Sequence, residues 1–313
     1  MIIIMYGLYS VTTKRRILFT SAAIAMLTPF TDTVYLPALA SVGSSLSAPD
    51  QVVALTVSIY LAAAGIGQIC FGPLADRFGR LRVIFGCLLI YEILTIACIF
   101  SPTIDWLIAL RTLQGFFVSG TIVSAQAIIA DIYEEAERGS AMGIFLAPML
   151  VGPIIAPLCG GVLSSTFNWR ATFVLLAIML VPIWIAAMVV LPETHHWYAL
   201  KRVQLKRAQH PLSVAFLTSE EEEEKNQSAL PSSPHTVSLP ALMMPWDSLK
   251  LLCDPRLSVY YSLGGTSFAP MFTSLTLLPL YLSASPYNLS AAIIGTSFAA
   301  LPVLTCGDVV SVS

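Results

Sequence analysis

The chain has 313 residues, 56% of them hydrophobic and 11% charged, and its mean hydropathy of +0.79 lies outside the usual range of a water-soluble globular domain. The formal net charge of −2 conceals an uneven distribution, because five acids form one run at 220–224; that run excludes a nucleic-acid surface. With no phosphate-cradling Gly-Lys-Ser/Thr loop, no His/Cys/Asp cluster at metal spacing and no nucleophile–base pair, the sequence reads as an integral membrane protein that is not an enzyme, with no cofactor and no metal.

Crossing a bilayer takes about 20 apolar residues in a helix, because the hydrocarbon is ~30 Å thick and each residue rises ~1.5 Å. Runs of that kind lie near 17–37, 52–72, 83–101, 106–130, 140–163 and 171–191, and again at 258–282 and 291–307, giving eight candidate spans. The fold class expected is therefore all-α and polytopic. The six cysteines sit in or beside these runs without paired spacing and read as small apolar packing residues. The basic cluster Lys14, Arg15 and Arg16 follows the first apolar residues, so no cleavable signal is expected.

Lys and Arg set the orientation. With a cytoplasmic N-terminus, fourteen of the sixteen basic residues fall inside; Arg170 is outside and Arg111 lies within a span. Between the sixth and seventh spans, the low apolar content and charge blocks of 195–256 read as a largely disordered cytoplasmic linker. The sequon at Asn288 is then expected outside and that at Asn226 inside. The domain reading is a cytoplasmic N-terminus at 1–16, a six-helix unit at 17–194, the linker at 195–256 and a partial second unit at 257–313.

Polar residues inside such a frame carry the information. The stretch 71–82, Phe-Gly-Pro-Leu-Ala-Asp-Arg-Phe-Gly-Arg-Leu-Arg, packs one acid and three arginines between the second and third spans. As a loop there, Gly72 and Gly79 would let chain segments come close, and Asp76 could accept from Arg77 or cap a facing helix. Arg111 lies ~9 Å below the outer surface in the fourth span, and Asp32 in the first is ~6 Å below it. Both are functional candidates, because an unpaired charge in lipid is costly. Glu92 falls near the midplane of the third span and reads equally as a second proton site or as a hydrogen-bonding group between helices. In the fifth span Gly152, Ala156 and Gly160 recur every four residues as a flat contact face, and Pro153 and Pro157 can bend the helix.

Taken together these motifs resemble the major facilitator superfamily. Gly72, Leu74, Asp76, Arg77, Gly79, Arg80 and Arg82 match its loop signature between the second and third helices. Residues 110–115, with Arg111, Gln114 and Gly115, resemble its Arg-x-x-Gln-Gly motif. Gly143, Gly152, Ala156, Pro157, Gly160 and Gly161 resemble its antiporter motif, with Ala156 where the motif has Gly. The region around Asp32 and Pro37 is similar to that of the twelve-helix drug:proton antiporters of fungal type.

This resemblance implies a complete N-terminal six-helix half, about two helices of the second half, and a chain truncated at its C-terminal side. It implies proton-coupled efflux of small organic or drug-like molecules by alternating access. Asp32, Arg111, Glu92 and Gln114 are the coupling candidates, and Arg111 would tune the proton affinity of Asp32. Gly72, Asp76, Arg77, Gly79 and Arg80 would gate the cytoplasmic side, and the 143–161 helix would favour exchange over leak. The expected partners are the lipid bilayer, a small organic substrate and protons, with no nucleic acid and a monomeric state at full length. The expected site is the plasma membrane, with an internal membrane as the alternative. The rival functions are another solute carrier on the same fold, for polyamines or sugar-like solutes, and a truncated membrane protein that transports nothing.

Overall fold

The structure, a computed structural model, describes residues 9–192, 258, 273, 276–285 and 287–298. The expectations for the 195–256 linker, its acidic run and the Asn226 sequon lie outside the described residues, as does much of the seventh and eighth expected spans.

Within residues 9–192, seven α-helices and one 3-10 turn run in sequence: α1 Val11–Val34, the 3-10 turn Leu36–Ala38, α2 Leu39–Leu46, α3 Asp50–Phe78, α4 Arg80–Ile99, α5 Ile104–Ile132, α6 Glu135–Thr166 and α7 Arg170–Val190. Among the described residues, six helical stretches are long and apolar enough to cross a membrane, with α1, the turn and α2 together forming the first, Val11–Leu46. Residues 276–283 and 291–298 are also largely helical. Alternate spans run in opposite directions. One end of the bundle, here the upper end, carries Leu46, Asp50, Ile99, Ile104, Thr166 and Arg170; the lower end carries Val11, Phe78, Arg80, Ile132, Glu135 and Val190.

Local chemistry accounts for the helix ends. Ser10 caps α1 by accepting from the Thr13 N–H, and Thr103 caps α5 by accepting from the Trp106 N–H, each satisfying a donor that the first turn leaves free. Glu135 and Glu137 lie in the first turn of α6, where the helix dipole favours negative charge. Asn168 Oδ1 accepts from the Arg170 N–H at 2.8 Å at the start of α7. Three prolines, Pro148, Pro153 and Pro157, lie inside α6 without ending it.

The joint between the second and third spans differs from the sequence expectation. Residues 71–78 continue α3 as helix, and the break is a single residue, Gly79, at φ 100° and ψ 139°. Only glycine adopts that backbone without strain. The polar residues of this stretch misled the loop reading because they decorate the last turns of a helix that has left the apolar layer. The first span likewise begins at Val11 rather than near 17, so Lys14, Arg15 and Arg16 are helical.

The bundle is polar within and apolar without. Its outer surface presents Phe19, Leu89, Ile93, Leu150, Ile178, Ile185 and Val189, each more than half exposed, an arrangement suited to lipid and not to water. Its interior holds Thr31, Asp32, Thr95, Arg111, Gln114 and Ser124. Of the six spans, the first and α5 are the most buried and α6 and α7 the least, so α1 and α5 form the axis around which the others pack.

Candidate functional site

Apart from Ser124, which lies far lower on α5, the interior polar residues converge ~6–15 Å below the upper ends of α3, α4 and α5. Arg111, fully buried on α5, is the centre. Its Nη1 donates to Gln114 Oε1 at 2.9 Å, one turn along. Its guanidinium lies over three rings, at 4.3 Å from the Tyr60 centroid on α3, 5.0 Å from Tyr35 after α1 and 5.8 Å from Phe173 on α7. Among the described residues, Arg111 Nε and Nη2 have no hydrogen-bond partner. The ring faces therefore supply much of the negative potential that this cation meets, and a desolvated cation–π contact is worth ~2 kcal/mol.

From Arg111 a wired path runs across the bundle. Gln114 Nε2 donates to Thr95 Oγ1 at 2.8 Å, and Thr95 Oγ1 donates to the Tyr91 carbonyl at 2.7 Å on α4. The Tyr91 hydroxyl shares a hydrogen bond with Thr31 on α1, whose Oγ1 also donates to the Leu27 carbonyl at 2.6 Å. The Tyr60 hydroxyl donates to the Thr28 carbonyl at 3.3 Å. Four helices thus contribute to one polar cluster, and Asp32 stands beside Thr31 within it.

Asp32 is 2% exposed, and its Oδ1 has no hydrogen-bond partner among the described residues. Asp32 and Arg111 form no ion pair within 4.0 Å: a similar depth in two spans does not by itself bring side chains into contact. A buried carboxyl within reach of a guanidinium has two charge states one proton apart, and any change in its access to water alters which is held.

Gln114 joins this cluster. Glu92 does not: it follows Tyr91 on α4, and while Tyr91 is fully buried, Glu92 turns to a groove between α4 and α7 lined by Leu89, Leu180, Val181, Trp184 and Ile185. The rings of Tyr35, Tyr60, Tyr91 and Phe173 were missed by sequence reasoning. The available signal was three tyrosines in mid-span or beside Asp32, each with a hydroxyl that needs a partner in lipid.

At the lower end, Arg80 bonds Asp131 at the end of α5 and also Asp76 Oδ1, at 3.1 Å across the Gly79 joint. Asp76 therefore accepts from Arg80, and Arg77 lies at 5.4 Å over the Phe78 ring. A Cβ on Gly72 would meet nothing within 4 Å among the described residues, so close approach does not explain that glycine. Lys14 lies 5.6 Å over the Tyr133 ring and 4.0 Å from Glu137, tying α1 to the turn between α5 and α6. Burial, with Glu137 nearby, raises the Tyr133 hydroxyl above its ordinary value, and Arg15 opposes this.

On α6, a Cβ on Gly152 would lie 3.6–3.7 Å from Pro29 and Phe30 of α1, Ala156 is fully buried, and a Cβ on Gly160 would overlap the Val34 carbonyl. Gly161 turns elsewhere: a Cβ there would come 3.1 Å from Gly295 Cα in the 291–298 helix, and a Cβ on Gly295 would come 3.2 Å from the Pro157 carbonyl carbon. Pro153 is half-buried and Gly143 is exposed, with open space at Gly143.

The fold is similar to that of a bacterial homologue of the human lysosomal transporter Spinster in an inward-facing conformation, with a TM-score of 0.63 and 18% identity over 93% of this chain and 60% of that one. Among curated proteins, the chain is 36% identical over 185 residues to the MFS antiporter QDR3 of Candida albicans, covering 58% of this chain and 26% of that protein. It is 27% identical over 268 residues to the multidrug transporter AQR1 of Candida glabrata, covering 85% and 45%. The chain thus spans between a quarter and half the length of these relatives. The family model described as the Major Facilitator Superfamily matches residues 21–310, and the chain, a multi-pass integral membrane protein of transporter lineage, belongs to that superfamily.

Proposed function

We propose that this protein takes part in proton-coupled antiport, exporting small organic molecules of cationic or amphipathic character by alternating access. The observation that carries this reading is Asp32: a buried carboxyl whose Oδ1 has no partner among the described residues, on α1 at the axis of the bundle, in a cluster organised by a buried arginine and three tyrosines. Such a carboxyl can take a proton or a cation in turn, which is the elementary step of exchange. Arg111 and Gln114 hold the cluster's field and geometry. The names of the antiporter and multidrug relatives support the direction of transport.

Under this reading residues 17–194 act as one half of the carrier and 257–313 as part of the other, joined by 195–256. The Arg80 bridge from Asp76 to Asp131 stiffens the lower end, and α6, with Gly143, Gly152, Pro153, Ala156, Pro157, Gly160 and Gly161, keeps the halves in close register. The lower end carries Lys14, Arg15, Arg16, Arg77, Arg80, Arg82 and Arg138, which supports a cytoplasmic N-terminus. In this reading the protein works in the plasma membrane, and the unit of transport is a monomer.

The test is ethidium movement in proteoliposomes under an imposed proton gradient. Wild-type protein is expected to exchange ethidium for protons with a rate that depends on pH, and Asp32→Asn to abolish the proton-driven component. Transport that survives Asp32→Asn with an unchanged pH profile would overturn the assignment.

A further inference from the structure

Glu92 is the ionisable residue that the interior cluster leaves unused. It lies ~18 Å above the start of α4 at Arg80 and ~10 Å below its end at Ile99, deep in the apolar layer. The groove it lines with Leu89 of its own helix and Leu180, Val181, Trp184 and Ile185 of α7 has a volume of about 220 Å³. Leu89, Val181 and Ile185 are each more than half exposed, so the groove opens sideways toward lipid and not into the bundle. Phe85, two turns below Glu92, meets Trp184 at 5.7 Å between centroids and walls off that side. Glu92 Oε2 is buried there and has no hydrogen-bond partner among the described residues.

We infer that this groove is a binding site for a lipid-dissolved alkylamine: an apolar body with one amine at its head. Four of the six lining residues are aliphatic and Trp184 presents an indole ring, and the sixth is a carboxyl in need of a donor. An amine brings N–H donors and a compensating positive charge together, whereas an alcohol of the same shape brings a donor alone. Because an apolar cavity of 150 Å³ holds benzene, this one takes on the order of ten heavy atoms. The amine head and first carbons fit inside, and the rest of the chain lies along the exposed leucine and isoleucine faces. Phospholipid headgroups are excluded by depth, since their charges stay at the interface.

This inference is independent of proton antiport, because it concerns binding on the outer face of the bundle and its readout needs no transport. Trp184 lies in the groove and reports on it. Purified protein in nanodiscs of saturated phosphatidylcholine is titrated with a dibrominated dodecylamine, and with the dibrominated dodecanol as control, while tryptophan emission is followed. Trp184→Phe identifies the component that belongs to the groove. The amine is expected to quench that component saturably, at least tenfold more tightly than the alcohol, and Glu92→Gln to remove at least tenfold of the preference. Equal midpoints for amine and alcohol in the wild type would overturn the site, and so would an unchanged amine midpoint in a folded Glu92→Gln. The amine-to-alcohol comparison uses wild-type protein and decides the matter even if the variant does not fold.

Discussion

Gly115 offers the sharpest test of how the candidate site is built. It follows Gln114 on α5 and faces the backbone of Tyr60 on α3, where an added Cβ would lie 3.0 Å from the Tyr60 carbonyl carbon and 3.1 Å from its Cα, and would overlap its carbonyl oxygen. Gly67 on α3 stands in the reciprocal position, with a Cβ there 3.2 Å from the Phe116 carbonyl carbon. One glycine from each helix therefore lets the two backbones touch, a contact characteristic of membrane bundles. In Gly115→Ala the obstacle is main chain and cannot rotate away, so α3 must move. Overpacking of this kind costs ~1–3 kcal/mol, against a gain of up to ~1 kcal/mol from replacing a helical glycine by alanine.

Gly86 on α4 is the reference, because a Cβ there meets nothing within 4 Å among the described residues and Gly86→Ala keeps only the helical gain. The two variants should differ by ~1–3 kcal/mol in equilibrium unfolding by sodium dodecyl sulfate in mixed micelles. Because Tyr60 lies under the Arg111 guanidinium, Gly115→Ala should also disturb the cluster. Matching unfolding curves for Gly115→Ala and Gly86→Ala would refute the argument that backbone contact at Gly115 holds Tyr60 in place.

Three further outcomes follow from the same geometry. Gly79→Ala should cost ~1–3 kcal/mol, because its φ of 100° strains any side chain, whereas Gly72→Ala, in open space, should unfold like the wild type or later. Gln114→Leu removes the acceptor of Arg111 Nη1 and the donor to Thr95, leaving buried groups unsatisfied at ~1–3 kcal/mol each, while Gln114→Glu keeps the acceptor and should retain more stability in the same unfolding assay. Arg80→Lys loses the forked geometry that reaches Asp76 and Asp131 together and should lower the melting temperature measurably, whereas Arg77→Lys, at an exposed position, should not.

The six spans were legible because lipid imposes a length and an apolar composition on any helix that crosses it, and few soluble elements imitate both. Their ends were less so. Lys14–Arg16 and Asp76–Arg77 look like loop because they are charged, yet they continue their helices: Lys14 finds Tyr133 and Glu137, and the α3 backbone breaks only at Gly79. Asp32 and Arg111 stood out as charges inside spans, and their similar depth was computable from the helical rise. That Arg111 is met by rings was not readable, because Tyr35, Tyr60 and Phe173 pattern like any aromatic residue in an apolar run. Glu92 was ambiguous for a related reason. The third span is apolar on every side, so nothing in its periodicity distinguishes the inward face of Tyr91 from the outward face of Glu92 one residue later.

The division of labour on α6 connects the site to the rest of the chain. Gly152, Ala156 and Gly160 lie against α1, the helix that carries Asp32, with the closest approach at Val34 two residues beyond it. Gly161 and Pro157 lie against the 291–298 helix. Residues 160 and 161 are ~100° apart around the helix, so one continuous rod presents backbone to both neighbours at the same height. Small residues leave no side chain between these surfaces to absorb a displacement. If the second unit rocks on the first, as the proposed exchange cycle requires, a shift of the 291–298 helix acts on the α6 backbone and through it on α1 beside Asp32. The crowding of small residues in this span is then explained by two simultaneous backbone contacts, which a single four-residue face would not demand.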